Sequence, residues 1–335
     1  MVLIYLNHSE FYCGTTVGEL RNIYLPFFVP AFYFVSGYLL LMKQLKDPLI
    51  SLNAKEWFNS VSGGGKVLIL NIMYKITIPS ILFSSFIYFP KKILRGQDLD
   101  LSGFLIETIG GCTYWFTSAL VLAELILVLL LLTRVKKIGF YVGMGLLAAF
   151  VGYMSFESGV RLTENFNFPW FWKSALAAVF YLTLGGLYCK YEANIDKKLG
   201  LNNYWIIALL SIVYICYCLF DFSVYKGGLD NAPITIGSTV LSIFGVLVMI
   251  SICKKVPTNK FFDYWGRNTI GLYFMCGAIP NTIAIVIGKV MSVGVPMLVL
   301  CWLLSFVVSL TVVYLLNRFV PFVFDLRKLK RFQLQ

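Results

Sequence analysis

The chain has 335 residues, of which 59% are hydrophobic and 13% are charged; a soluble domain of this size does not bury so much apolar surface, which excludes a soluble enzyme. The formal net charge is +12, but Lys and Arg concentrate on alternate loops between apolar segments, where they suit an anionic lipid surface rather than nucleic acid. The eight cysteines include no CxxC pair and no metal-ligand spacing, so no metal is expected.

Long apolar segments follow one another along the chain. Residues 1–6 are apolar but too few to cross a bilayer, and we interpret them as the outer half of a first helix whose inner half lies upstream. Each later segment is near the roughly 20 residues that a transmembrane helix needs. These segments are 22–42, 69–89, 114–133, 138–155, 169–189, 203–221, 234–253, 269–288 and 294–317.

Helices are expected because lipid offers no partner to backbone groups and the alternating pattern of a barrel strand is missing. The sequence therefore predicts an all-α polytopic membrane protein, a bundle of about ten transmembrane helices with an apparently truncated first helix. The loops are short and no linker separates blocks of different composition, so residues 1–335 are predicted to form one domain.

Positive charge predicts the orientation of this bundle. Every second loop is rich in Lys and Arg, and these segments together hold 19 of the 28 basic residues, whereas the intervening loops hold 8. Such a bias follows the positive-inside rule. We therefore predict a multi-pass protein of the bacterial cytoplasmic (inner) membrane, with a cytoplasmic C-terminus. The segments predicted to be cytoplasmic are 43–66, 134–137, 190–199, 254–267 and the residues from 318 onward.

His8 is the only histidine of the chain, and this topology places it near the external end of the first helix. Histidine is the side chain best suited to general-base work near neutral pH, and the carboxylate of Glu10 could orient the ring. The alternative is a histidine at the water interface with no chemical role.

Two further ionisable residues lie inside predicted spans. Lys75 lies just inside a span on its cytoplasmic side, where it either snorkels to the interface or holds a phosphate as a point charge. Glu124 lies deeper, and burying an ionisable group in lipid is costly enough to suggest function. Its alternative is a carboxylic acid that joins two helices by a hydrogen bond.

Two glycine-containing segments have simpler readings. Gly63, Gly64 and Gly65 precede Lys66, but the GxxxxGK spacing of a phosphate-binding loop is not met, so a flexible turn is predicted. Ser36 and Gly37 are small residues of the kind that let membrane helices approach closely.

Five segments carry a recognisable pattern in a fixed order along the chain. They are 6–9 (LNHS), 29–39 (a proline, an aromatic run and Ser-Gly), Lys75 with Pro79, 114–120 (YWFTSAL) and 266–273 (GRNTIGLY). Together they resemble the membrane-bound acyltransferase-3 family of bacterial O-acyltransferases, and the resemblance spans nearly the whole chain.

The resemblance implies transfer of an acetyl or other short acyl group to a hydroxyl of a cell-surface or lipid-linked glycan, with cytoplasmic acyl-CoA, expected to be acetyl-CoA, as donor. By position, His8 corresponds to the catalytic histidine of the family. Lys75 corresponds to the second basic residue of its cytoplasmic Arg-x-x-Arg pattern, which implies contact with the donor. Glu10 and Glu124 are candidate supporting residues.

Three positions depart from the family pattern. A basic residue eleven positions before the histidine would lie upstream of Met1, so we expect further coding sequence there. Ile72 occupies the first basic position of the pair, and Cys276 stands where the late segment often has histidine. These departures bear on affinity for acyl-CoA more than on the fold.

Two other functions stay open from the sequence. One is a transporter or flippase for a glycan or a small acyl compound, in which His8 and Glu124 would couple transport or bind substrate. The other is a family member with only a structural role in a polysaccharide assembly complex.

Overall fold

The computed structural model describes residues 1–44, 49–94, 96–158, 167–220 and 236–329. In these ranges the regular elements are helices and no strand occurs. A π-helical turn, Met73–Thr77, joins α4 to α5. The α-helices are α1 Val2–Cys13, α2 Leu20–Gln44, α3 Ala54–Asn59, α4 Gly65–Ile72, α5 Ile78–Leu94, α6 Leu101–Thr108, α7 Trp115–Leu131, α8 Ile138–Glu157, α9 Trp172–Leu199, α10 Tyr204–Phe220, α11 Ile236–Lys255, α12 Lys260–Arg267, α13 Thr269–Met275, α14 Ala278–Ile287 and α15 Val295–Phe319.

Several of these helices are long and apolar enough to cross a membrane. In the described part of the chain, five segments qualify alone, and the count rises to seven if each of two bent pairs is one span. The pairs are α9 with α10, bent by 94°, and α13 with α14, bent by 45°. The protein is thus an all-helical membrane protein, but the predicted ten spans are not confirmed. The five segments are Leu20–Met42, Gly65–Ile93, Ile138–Ser155, Gly237–Lys255 and Val295–Phe319.

Each predicted apolar segment coincides with one or more helices, but some helices break or end at positions that were not predicted. The predicted span at 269–288 is interrupted after Met275, because Pro280 has no N–H with which to continue one helix across the carbonyl of Cys276. α7 has only 17 residues. It ends where Arg134 takes a positive φ of 55°, a conformation that a helix does not accommodate.

Three short helices lie in the connections, where no element was predicted. Each begins after an Asn or Asp whose side chain accepts a backbone N–H of the first turn: Asn53 from Glu56, Asp100 from Gly103 and Asn259 from Phe262. At Asn53 the Glu56 side chain also accepts the cap N–H, which completes a capping box. These caps are a local signal, readable from the sequence.

The centre of the bundle is the contact between α2 and α9. A Cβ atom at Gly37 would lie 1.9 Å from the carbonyl oxygen of Leu182, and one at Gly185 would lie 1.9 Å from that of Phe34. Only glycine permits this approach of two helix backbones. The packing interpretation of Gly37 is confirmed.

The Lys- and Arg-rich segments are joined by direct contacts at one end of the bundle, which we call the basic face. The contacts cross between segments that are far apart in sequence, and they pair 134–137 with 43–66 and 254–267 with 190–199. They join Arg134 to the carbonyls of Leu49 and Leu52, Arg327 to Asn71, Lys254 to Glu192 and Asp196, and Asn317 to Asn268.

The side of the membrane on which the basic face lies can be measured directly. In a variant without native cysteines, labels introduced in 91–102 or 222–233 should react with a membrane-impermeant maleimide in intact cells, whereas labels in 254–262 should react only after permeabilisation. The reason is the preference of Lys- and Arg-rich loops for the cytoplasm. The segment 222–233 lies outside the described residues. The reverse labelling pattern would invert the predicted orientation.

Candidate functional site

A cavity of about 1470 Å³ lies within the bundle. Helix α2 lines it from Phe27 to Gln44, and at 1.5 Å per residue this stretch measures roughly 25 Å. The opposite walls come from α4, α7 and α13, and the first turn of α1 contributes Met1 to Ile4. The cavity is therefore long enough for an extended ligand, and its walls are largely aliphatic and aromatic.

The cavity wall carries an excess of positive charge where residues of the predicted cytoplasmic segments line it, and we call this end the mouth. Lys75, Arg267 and Lys328 line it, with Asp325 as the one acidic residue among the mouth residues described. Arg267 is exposed, and its one ion pair among the described residues is with Asp263, which is also exposed. Water therefore screens the pair, and the guanidinium keeps its attraction for anions.

Asp325 is held ionised by its neighbour. Arg327 donates from Nε to Oδ1 at 2.8 Å and from its terminal nitrogen to Oδ2 at 2.7 Å. Burial raises the pKa of the Asp325 carboxyl, but the hydrogen bonds and charge of Arg327, and the charge of Lys75, together lower it below its ordinary value. Lys75 forms no ion pair within the described residues, so its ammonium group is available to a ligand at the mouth.

The π-helical turn explains how Lys75 reaches the mouth. Pro79 lies four residues after Lys75 and has no N–H, so the Lys75 carbonyl cannot form the usual α-helical hydrogen bond. The chain instead forms wider bonds, such as that from the N–H of Ile78 to the carbonyl of Met73. The extra residue per turn rotates this segment relative to the rest of the helix, and the Lys75 side chain is exposed and lines the cavity.

Glu124 lies near the middle of α7 and lines the same cavity. Its side chain is 8% exposed. Its carboxyl has no hydrogen-bond or ion-pair partner among the described residues. Within the described ranges, Glu124 therefore does not join two helices by a hydrogen bond, which was the alternative interpretation.

His8 lies in the second half of α1 and does not line the cavity. Ile4, one helical turn earlier, does. The imidazole stacks on Tyr12 with ring centroids 6.3 Å apart, and neither ring nitrogen forms a hydrogen bond with a described residue. The flanking Asn7 Oδ1 and Ser9 Oγ are buried and also lack partners there. This part of α1 therefore carries several polar atoms without a protein partner in the described part of the chain, although none of them lines the cavity.

Glu10 does not orient His8. Its carboxylate accepts the hydroxyl of Tyr24 at 2.6 Å and the N–H of Val17 at 2.9 Å, and Arg21 lies 3.5 Å away. These contacts attach α1 to the start of α2. Glu10 is therefore satisfied by structural partners, and the hypothesis that it supports the histidine ring gains nothing from the geometry.

The structure adds a folded segment at the mouth that the sequence analysis missed. Gln44 accepts the indole N–H of Trp57 at 2.7 Å and donates to the carbonyl of Gly63 at 2.8 Å, and the Arg134 guanidinium lies over the Trp57 ring at 5.0 Å. These contacts hold the segment so that Ser62 and Gly63 form part of the cavity wall. The sequence signals for it were a tryptophan in a polar loop and the Asn53 cap of α3.

The glycine run belongs to this segment and is packed rather than flexible. Gly63 has φ +122°, which favours glycine. A Cβ atom at Gly64 would lie 1.9 Å from the carbonyl oxygen of Trp57, and one at Gly65 would lie 2.8 Å from its ring. The predicted turn is present, but Gly64 and Gly65 pack closely against Trp57, so a side chain at either position would clash with it.

The comparisons with known proteins do not extend this description. No family model matches the chain, and no curated protein or solved structure matches it. Among the described residues, no group of three or more His, Cys, Asp and Glu side chains lies close enough together to hold a metal ion.

Proposed function

We propose that this protein is an O-acyltransferase that moves an acetyl or other short acyl group from cytoplasmic acyl-CoA to a hydroxyl of a surface or lipid-linked glycan. The observation that carries the proposal is one cavity that connects Lys75 at the mouth with the first turn of α1, the helix that bears His8. Lys75 and the first turn of α1 thus line the same cavity, and His8, which does not line it, lies one helical turn beyond Ile4.

The cavity suits the donor in both charge and shape. Acyl-CoA has phosphate groups at one end and a long, flexible arm that ends in a thioester. Lys75, Arg267 and Lys328 would hold the phosphates at the mouth, while the arm would lie along the apolar wall of α2. The acyl end would then pass Ile4, and His8 lies one helical turn, about 6 Å, further along α1.

His8 would perform the transfer by one of two routes. In direct transfer, the imidazole takes the proton of the acceptor hydroxyl while the hydroxyl oxygen attacks the thioester carbonyl. The C–S bond then breaks, and the leaving thiolate receives that proton from the imidazole. In the two-step route, an imidazole nitrogen attacks the thioester carbonyl, the C–S bond breaks, and the thiolate leaves with the proton of the other ring nitrogen. The hydroxyl oxygen then attacks the acyl carbon, the C–N bond breaks, and the imidazole takes up the hydroxyl proton. Both routes require an unoccupied ring nitrogen, which agrees with the lack of hydrogen bonds to His8 in the described part of the chain.

The direct test is label transfer. Membranes that contain the protein should move radiolabelled acetyl groups from acetyl-CoA to a surface-glycan fraction from the same host, and membranes from a deletion strain should not. No transfer from any acyl-CoA tested would overturn the proposal.

Lys75→Ala is expected to weaken the apparent affinity for acyl-CoA about tenfold and to leave the maximal rate nearly unchanged, because a lost phosphate contact acts on binding. The difference from wild type should shrink at high salt, since Lys75 is exposed. The measurement is the acetyl-CoA dependence of label transfer at two ionic strengths. Lys66→Ala is the matched control, because Lys66 is exposed but does not line the cavity. Equal affinities in both variants would remove Lys75 from the donor site.

A second candidate is a transporter or flippase, which the buried and unpartnered carboxyl of Glu124 favours. Transport predicts movement of substrate across proteoliposomes without acyl transfer. Transfer without such movement decides for the enzyme.

A further inference from the structure

Glu124 differs from the other buried carboxylates of this protein. Glu10 accepts Tyr24 and Val17, and Asp196 accepts the hydroxyl of Tyr188 at 2.7 Å and the ammonium of Lys254 at 2.6 Å. Glu124 is comparably buried and has no such partner among the described residues. A carboxyl group that lines a cavity and has no protein partner in the described ranges is a candidate for binding a ligand.

The position of Glu124 shows what kind of ligand group it can meet. Thr117, Leu120 and Glu124 lie on one face of α7, and all three line the cavity. The other charged residues that line it, in the described ranges, are the mouth residues Lys75, Arg267, Asp325 and Lys328. Glu124 is therefore the one charged side chain described away from the mouth, and no Lys, Arg or His side chain that the structure describes lines the cavity there to neutralise it.

A carboxyl in such surroundings can be either ionised or protonated. The ionised form only accepts hydrogen bonds, whereas the protonated form also donates one. A secondary amide satisfies both forms, because its N–H donates to the carboxylate and its carbonyl accepts from the carboxylic acid. A neutral amide also avoids the cost of bringing a second charge into an apolar cavity.

We propose that Glu124 binds an amide group of an elongated ligand whose anionic end lies at the basic mouth. This inference rests on the proposed function, under which the amide belongs to the pantetheine arm of acyl-CoA. Glu124 is then a determinant of specificity for the arm, as Lys75 is for the phosphates. It does not touch the reacting atoms.

The test compares two fragments of the donor on the purified protein in lipid nanodiscs. Adenosine 3′,5′-bisphosphate carries phosphates without the arm, and pantetheine carries the amides without phosphates. Glu124→Leu should weaken binding of pantetheine and of CoA about tenfold and leave the bisphosphate unaffected, as expected for one buried hydrogen bond. Lys75→Ala should instead weaken binding of the bisphosphate and leave binding of pantetheine unaffected. Glu124→Gln should stay within about threefold of wild type, because its amide also pairs with an amide.

Thermal unfolding without ligand separates binding from folding. Glu124→Leu removes an unpartnered polar group, so its melting temperature should equal or exceed that of wild type. A clear drop would mean that Glu124 has a structural partner and would overturn the inference. Equal CoA and pantetheine affinities in wild type and Glu124→Leu would overturn this inference alone, whereas a wild-type protein that binds no CoA would overturn the proposed function as well.

Discussion

His8→Ala should lower acylation of the surface glycan by about 100-fold or more, the usual contribution of a positioned acid-base group. Protein abundance should hold, because the ring contributes one stacking contact with Tyr12 and no hydrogen bond to a described residue. The measurement is the acyl content of the glycan in a deletion strain complemented with each variant, together with immunoblots of the membrane fraction.

Phe11→Ala is the matched control for His8→Ala. Phe11 lies on the same helix, and its side chain is 78% exposed, so its loss should leave both abundance and acylation near wild type. Full acylation with His8→Ala would remove the histidine from catalysis. An equal loss of acylation in both variants would instead point to damage of α1 as a whole.

Gly37→Ala should strongly destabilise the protein, by about 3 kcal/mol or more, because a methyl group there meets a backbone atom that cannot move away. The new Cβ would lie 1.9 Å from the carbonyl oxygen of Leu182, so α2 and α9 would have to separate. The expected result is a marked fall in both membrane yield and the melting temperature of the purified protein.

Gly143→Ala provides the comparison for this effect. Gly143 lies in α8, and a Cβ atom there would meet nothing within 4 Å. Because alanine favours a helix by up to about 1 kcal/mol over glycine, this variant should be as stable as wild type or slightly more stable. A Gly37→Ala protein that melts with the control would refute the close approach of α2 and α9.

The sequence alone determined the class of this protein and the location of its long apolar helices. Hydropathy depends on composition along the chain, so each predicted apolar segment coincides with a helix. Two pairs of the Lys- and Arg-rich segments also contact each other, through Arg134 and through Lys254. The caps at Asn53, Asp100 and Asn259 were equally local, and their helices could have been predicted from the same residues.

The tertiary structure decided which polar residues have partners. Glu10 and Glu124 look alike in the sequence, as acidic residues in or beside apolar segments, yet Tyr24 and Val17 satisfy the first while no described residue satisfies the second. The partners of Glu10 come from α2 and from the connection that precedes it. Hydrogen bonds depend on distances between such residues, which no local pattern encodes.

The cavity also required the tertiary structure. Lys75 could be placed near a membrane surface from the sequence, but its position at the mouth depends on the π-helical turn and on the packing of the C-terminal segment against it. The glycine run looked flexible because its partner, Trp57, is not adjacent in sequence. Composition and periodicity are sums over neighbours along the chain, whereas the shape of a cavity depends on which helices pack together and how closely.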